Sequence, residues 1–521
     1  MIAPTRRRWI ALCMALGISY WTVNLTKIFK HLDIKIDVKI GSSSILPHTS
    51  SDFYPFSNPL SRTTSRYPSY PLEYTPSSLD SAECQASFSP KYLEHTASHH
   101  VPYCERQSRS SMECFRTHND GHFCLATGVL LAPKHTGADQ TAAMHCRLRN
   151  FTRERLESPR KEVELRNVVD VNSMRSGFFE TGVMEQLKHW NISAGEENMM
   201  VSREQRSCDF RSSDKKWTLL VKREGRRNLW HMLLEIWQAT ITLDVLQMAI
   251  NPNTGRPYLT PNDIANMQVI FAPGDPGIHS AVDELWTMVT GHRPILQEDI
   301  DTTCLGNVIL PLEGSTSPLW NSVWEPQDCH DRFLINAFLR RIHRHFGIKA
   351  TQGSLQSPEN PVVTVIERKR KRKIRNLEYL VSRAKARWPE ATFQLIDLAT
   401  LSLKEQITLM LSTSVLIGMH GAGLTNLLFL PAGASIAEIQ PPNRRMPESP
   451  PFAGFRNLAV MKGLQYFTAH PESRLADDGA GHWQDGEWVD VQEGVFLALV
   501  DAAVNSQLNR GVGIGEVLPR D

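Results

Sequence analysis

The chain has 521 residues, 57 basic against 55 acidic side chains, and 41% apolar residues. That length carries two sizeable cores and excludes a single small domain. A net charge of +2 gives no general electrostatic reason to bind nucleic acid, and 21% charged residues excludes disorder throughout.

Arg6, Arg7 and Arg8 precede an uncharged stretch from Trp9 to Leu25, and Lys27 follows. At about 1.5 Å per residue this stretch spans roughly 25 Å, which suits a thin early-secretory bilayer. Tyr20, Trp21 and Asn24 fill the place of a small-residue cleavage site. Residues 1–30 are therefore expected to be a cytosolic tail and an uncleaved signal anchor, with the remainder lumenal. A cleaved signal peptide is the alternative. Residues 31–103 are expected to be a stem, because from about 41 the composition turns to Ser, Pro, Tyr and Thr.

Setting aside Cys13, eight cysteines remain: Cys84, Cys104, Cys114, Cys124, Cys146, Cys208, Cys304 and Cys329. An even lumenal number allows full pairing, and the absence of a C-x-x-C favours disulfides over zinc. The connectivity stays open. Asn150-Phe-Thr and Asn191-Ile-Ser are glycan acceptor sequences. The cysteine-rich part from 104 to about 210 carries mixed signals and is expected to be an irregular, stapled lead-in.

From 216 onward strands and helices alternate. Strands are predicted over 217–222, 267–272 and 307–311, with helices over 226–248, 281–290 and 332–346. A Gly/Ser/Pro patch over 351–361 reads as a linker. Beyond it strands are predicted over 362–366, 392–396, 414–418 and 434–439, with helices over 376–388, 403–411 and 424–430. Two consecutive doubly wound α/β units facing each other leave a cleft at the carboxyl ends of both sheets, the edge where ligands bind.

Three segments carry chemistry. The run Ser414-Val-Leu-Ile-Gly-Met-His-Gly-Ala-Gly-Leu-Thr-Asn426 is a strand, a Gly-rich turn and a helix start. Such a turn lets backbone N–H groups approach a phosphate, with His420 as a further donor; a tight turn with His420 as a packing residue is the alternative. Seven of the eight residues from Arg368 to Arg375 are basic. Alone they suit a nucleic-acid patch or a solvated loop, but in a lumenal chain they suit neutralisation of a diphosphate. On the helix beginning Asn228-Leu-Trp-His-Met-Leu-Leu-Glu235, residues Asn228, His231 and Glu235 lie within about 60° of one another. His231 is then a candidate base with Glu235 orienting it, against a plain surface His–Glu pair.

The motif N-L-W-H-x-x-x-E, the motif R-x-x-x-R-x-I-x-N of Arg368, Arg372, Ile374 and Asn376, and G-M-H-G-A-G-L-T-N with a later A-E-I-Q-P occur in that order. Together they resemble glycosyltransferase family 61 over about 215–445, and Leu305-Gly-Asn-Val-Ile-Leu-Pro-Leu312 with Trp320, Trp324 and Cys329 is similar to its animal and fungal members. The resemblance implies a GT-B fold of two Rossmann-like domains facing a cleft. An acceptor domain would lie within 104–350 and a nucleotide-sugar domain within 351–521. It also implies inverting transfer from a UDP-sugar, with N-acetylglucosamine or xylose as the sugar, to a protein or glycan hydroxyl. His231 and Glu235 are then expected to be catalytic. Asn228, Arg368, Arg372, Asn376, His420, Gly421, Gly423, Asn426 and Glu438 are expected to bind the donor, Glu438 through ribose hydroxyls.

Two departures stand beside the resemblance. The chain ends Leu-Pro-Arg-Asp521 without a Lys/His-Asp-Glu-Leu retrieval signal, which shifts the expected site from the reticulum lumen to a Golgi membrane. The basic density over 368–375 also exceeds what the motif requires. No cofactor is expected. A D-x-D occurs at Asp299-Ile-Asp301, but ahead of a strand at the amino edge of its sheet, so metal independence is expected. The rival functions are a non-catalytic glycan-binding protein of the same fold and a polyanion binder acting through 368–375.

Overall fold

The computed structural model describes residues 80–131, 141–175, 177–194, 217–224, 228–273, 283–300, 304–321, 323–349, 360–440, 452–470, 486–509 and 515–517. The segment expected as an anchor, residues 31–79 of the stem, Cys13, Cys208, Asp301 and nearly all of the 351–361 linker lie outside them. Among the described residues no helix is long and apolar enough to cross a membrane.

The first half is built on one sheet. Its strands are β1 (His100–Pro102), β2 (Ser111–Arg116), β3 (His122–Leu131), β4 (Ala142–His145), β5 (Trp190–Ser193), β6 (Trp217–Val221), β7 (Met267–Phe271), β8 (Ile295–Leu296) and β9 (Cys304–Leu310). The order is β1-β2-β3-β9-β6-β7-β8, with β4 against β3 and β5 against β4. Strands β9, β6, β7 and β8 run parallel, as their alternation with helices predicts.

The cysteine-rich segment departs from its expected irregularity, since β1 to β5 extend the same sheet through the antiparallel β3–β9 pairing. The reason is burial. Lying between β2 and β9, β3 is inside on both faces, so its Phe-Cys-Leu-Ala run lacks the alternation that marks a half-exposed strand. Two of the disulfides, Cys104–Cys146 and Cys114–Cys124, close within this segment.

The end of the expected stem is also folded. Helix α1 (Ala82–Phe88) begins where the Ser81 hydroxyl accepts from the Cys84 N–H, and α2 (Pro90–Ser98) begins where Ser89 accepts from the Lys91 N–H. The serines and Pro90 that suggested an extended spacer are thus helix caps and a first-turn proline. Phe88, Tyr92 and Leu93 are buried, and the Cys84–Cys329 disulfide ties α1 to a segment 245 residues away.

The second half carries a sheet of β10 (Val362–Ile366), β11 (Thr392–Ile396), β12 (Val415–Met419), β13 (Ser435–Ile439), β14 (Gln465–Ala469) and β15 (Gly515–Val517). All pair parallel, in the order β11-β10-β12-β13-β14-β15.

Between the sheets runs α3 (Leu229–Met248), capped by the Asn228 side chain and buried nearly all round. It shares one hydrophobic core with α4 (Phe333–His345) and with Leu424, Leu427 and Phe455 of the second half. Arg341 on α4 meets Asp244 on α3 through two hydrogen bonds of 2.8 Å. The helix expected over 424–430 is a 3₁₀ helix, Ala422–Phe429. Its middle is buried on every side, so packing rather than an amphipathic period sets its pitch. The helix expected over 281–290 is likewise 3₁₀ over Asp283–Trp286 and α over Thr287–Thr290.

Candidate active site

At the carboxyl edge of the second sheet, β12 runs into His420-Gly421-Ala-Gly423. Gly421 has φ +142°, a region that side chains avoid, and a Cβ there would lie 2.7 Å from Arg368 Nη1 and 3.0 Å from both terminal nitrogens of Arg372. Arg368 follows the neighbouring strand β10, so strand pairing brings the two motifs together. Arg372, itself at φ +57°, donates from Nη1 to the His420 carbonyl at 2.7 Å, and Arg368 Nε donates to the Lys371 carbonyl at 2.9 Å. Burial lowers the Arg368 pKa from its ordinary value, but a guanidinium remains charged. Two cations are thus packed against a bare backbone.

Three further members of the basic run are paired elsewhere. Lys369 pairs with Glu367, Lys373 pairs with Glu487 at 2.5 Å while lying over the Trp488 ring, and Arg375 pairs with Asp490 at 2.8 Å. Asn376, expected beside the donor, is exposed at φ +55° at the start of α5 (Leu377–Arg387). None of the described contacts joins it to Gly421.

His420 is buried and its Nδ1 lies 2.5 Å from Glu438 Oε1, while the Tyr466 hydroxyl donates to Glu438 Oε2 at 2.6 Å. Glu438 has no exposed surface. Its expected place on ribose hydroxyls is therefore taken by His420 and Tyr466, and it fixes the imidazole with Nδ1–H toward the carboxylate. Burial and this carboxylate raise the Tyr466 pKa, which keeps its hydroxyl protonated. Asn426 is fully buried and donates its amide to Gln406 at 3.1 Å and to the Gly423 carbonyl at 3.2 Å. It shapes the turn from inside rather than facing a ligand, and Gly423 seats the turn on Ile366.

At the carboxyl edge of the first sheet, His231 is half-buried one turn into α3, with its ring 4.7 Å from Phe179 and 5.0 Å from Trp320. Burial lowers its pKa to about 4, so the imidazole is neutral at physiological pH. Glu235, expected to orient His231, instead accepts the Glu224 N–H at 3.0 Å. Asn228 has its Oδ1 on the Trp230 N–H at 3.0 Å, as a helix cap.

Strands β6 and β9 pair in parallel, and Glu224 and Glu313 each stand three residues beyond their ends. The Thr181 hydroxyl lies 2.9 Å from Glu313 Oε2 and 3.3 Å from Glu224 Oε1, and the Ser315 N–H donates to Glu224 Oε1 at 2.9 Å. Burial pushes both carboxyls up to about 7, and for Glu313 the neighbouring Glu224 adds to the rise. Neither residue was found from the sequence. The available signal was their equal distance from two strand ends.

An aromatic chain links the two edges. Trp230 packs at 5.5 Å on Phe455, which lies 5.4 Å from His420, and Phe452 lies 4.8 Å from His420 and 5.6 Å from Trp324. Asp299, expected at the amino edge of the sheet, instead follows the parallel strand β8 on the carboxyl side, because β8 pairs with the last two residues of β7; it is exposed and lies two strands from β6 at the outer edge. Asn150 is exposed as the N-cap of the helix Phe151–Glu157, and Asn191 is half-buried in β5.

Residues 309–437 match the family described as Glycosyltransferase 61. The EGF domain-specific O-linked N-acetylglucosamine transferase of Drosophila melanogaster is 29% identical over 217 residues, covering 40% of this chain and 39% of that protein. The protein of the same description from Xenopus laevis is 30% identical over 156 residues, covering 30% and 28%, and that from Gallus gallus is 28% identical over 189 residues, covering 34% of each. The chain thus spans well under half the length of the curated relatives it matches.

Proposed function

For a chain that belongs to glycosyltransferase family 61 through residues 309–437, we propose inverting transfer of a sugar from a UDP-sugar to a hydroxyl of a protein or glycan acceptor in the secretory pathway. The donor sugar is N-acetylglucosamine, with xylose as the alternative. The two sheets act as the halves of a GT-B enzyme, and residues 9–25 hold the chain in a Golgi or reticulum membrane.

The observation that carries this reading is the crowding of two guanidinium groups on the glycine backbone at Gly421. A diphosphate is the ligand such a cluster suits, since planar cations bind phosphate oxygens in pairs and a bare backbone allows close approach. The leaving UDP is stabilised there without a metal. His420, held by Glu438, faces the same turn. His231 takes the acceptor proton from the other side while the new glycosidic bond forms and the sugar–phosphate bond breaks. Pairing of Lys369, Lys373 and Arg375 with Glu367, Glu487 and Asp490 weighs against a polyanion patch.

Thermal stabilisation by a panel of nucleotide sugars, followed by assays of donor hydrolysis, tests the reading. UDP and one UDP-sugar should stabilise the protein, and Arg368→Ala should abolish the shift. Stabilisation that Arg368→Ala leaves unchanged would place the donor elsewhere.

A further inference from the structure

Thr181 has one hydroxyl proton and two carboxylates within hydrogen-bonding distance. A hydroxyl donates only once, so its second contact is satisfied only when one carboxyl carries a proton and donates to the hydroxyl oxygen. With both glutamates ionised, two negative charges would compete for the one Thr181 proton in a buried site. The remaining positive partners are the Gly314 and Ser315 N–H groups and the Ser315 hydroxyl at Glu224, and the Gly177 N–H and the more distant field of Arg175 at Glu313. Glu235 faces the same corner from α3, through the Glu224 N–H.

The pair is also mechanically connected. A Cβ at Gly177 would lie 2.2 Å from the Glu313 carboxyl, and one at Gly182 would lie 2.9 Å from Glu313 Oε1. The segment 177–182 is therefore pressed onto Glu313 along its backbone and bonded to both glutamates through Thr181. Between these two glycines sits Phe179, whose ring edge meets His231 at 4.7 Å.

We propose that Glu224 and Glu313 share one proton, and that this proton latches the segment 177–182 so that Phe179 holds the His231 imidazole in place. Both glutamates are positioning residues for the proposed acceptor-side base, and the inference rests on that reading of His231. Loss of the shared proton leaves two like charges that push the segment off, so transfer falls on the alkaline side through a group that does not touch substrate.

The test compares the intact chain with Glu313→Gln and Glu313→Ala. The glutamine amide donates where the shared proton did, and at every pH. The wild-type kcat should fall about tenfold per pH unit on the alkaline side. Glu313→Gln should lose that fall while keeping activity at neutral pH, and Glu313→Ala should be low throughout. An alkaline fall retained in Glu313→Gln, or loss in both variants alike, overturns the proposal.

Infrared difference spectra give a readout independent of transfer. The wild-type protein near neutral pH should show a buried protonated carboxyl band that disappears at alkaline pH and is missing from Glu313→Gln. Its absence from the wild type overturns the proposal even if either variant fails to fold. If no nucleotide sugar is turned over, the transferase reading fails while this band still decides the shared proton.

Discussion

Arg372 Nη1 donates to the backbone carbonyl of His420 at 2.7 Å, so the cation that faces Gly421 also holds the turn on which Gly421 stands. Among the described contacts Arg368 makes no such bond to the turn, its Nε donating instead to the Lys371 carbonyl. Arg368→Ala is therefore expected to weaken UDP binding about ten- to hundredfold with little change in melting temperature, the range for one lost charged hydrogen bond. Arg372→Ala should lose both affinity and stability. His231→Ala should keep UDP affinity and lose transfer, because it acts on the proton in flight rather than on bound phosphate. Calorimetry with UDP beside a transfer assay separates the three, and equal loss of affinity in Arg368→Ala and His231→Ala would remove His231 from the base role.

Gly421→Ala combines a disfavoured backbone angle with a methyl group against Arg368. The arginine end can shift, so the variant should fold with a melting temperature lower by about 2–8 °C and bind UDP more weakly, since the shift moves the guanidinium away from the glycine backbone. Unchanged UDP affinity would mean that the glycine serves only the turn.

Four of the six strands of the second sheet were legible because each is short, apolar and followed by a polar or glycine-rich break, as with Val362–Ile366 before Glu367 and Val415–Met419 before His420, whereas β14 and β15 were not expected. The antiparallel extension was hidden by the burial of β3 on both faces. Arg368 and Gly421 were readable as a pair because their strands end in motifs. Glu224 and Glu313 were not, because 89 residues separate their numbers and only the β6–β9 pairing puts them together. The His231–Glu235 pairing failed for a different reason: helical spacing places two side chains on one face without saying which neighbour each will bond.

Several histidines are held neutral by burial. His122 and His231 both have pKa values lowered from 6.5 to about 4 by desolvation, with the Arg116 charge a further cause at His122. Protons then bind the unfolded chain more readily than the folded one, so stability is complete above about pH 6.5 and falls as pH drops toward 4. Melting temperature against pH should show this acid limb, and His122→Asn should make it shallower. The Glu224–Glu313 pair acts in the opposite sense. Carboxyls raised from 4.5 to about 7 add stability that is complete at low pH and is lost as pH rises through 7. A limb as steep in His122→Asn as in the wild type would shift the cause to the other buried histidines.

Transfer should continue in excess chelator, and Asp299→Asn should keep full activity, since Asp299 stands two strands from β6 while the proposed leaving group sits against Arg368 and Arg372. Turnover lost in chelator and restored by Mn²⁺ would mean a metal-bound diphosphate.

Asn150 and Asn191 should carry N-glycans on a protein retained in the membrane fraction at alkaline pH. Endoglycosidase should shift the wild type and leave the Asn150→Gln, Asn191→Gln double variant unmoved. A wild-type chain that does not shift would remove the lumenal assignment.

The bond between Cys84 and Cys329 sets an order on biosynthesis. Cys84 emerges early, and 245 residues must follow before its partner exists. At about 5–20 residues per second that wait lasts tens of seconds. During it Cys104, Cys114, Cys124, Cys146, Cys208 and Cys304 all appear as competing thiols. The two short-range bonds remove the first four of these competitors as soon as they close. Early assembly of the outer strands β2, β3 and β4 therefore favours correct pairing at Cys84, while the helix that will later be stapled waits with its thiol unbonded.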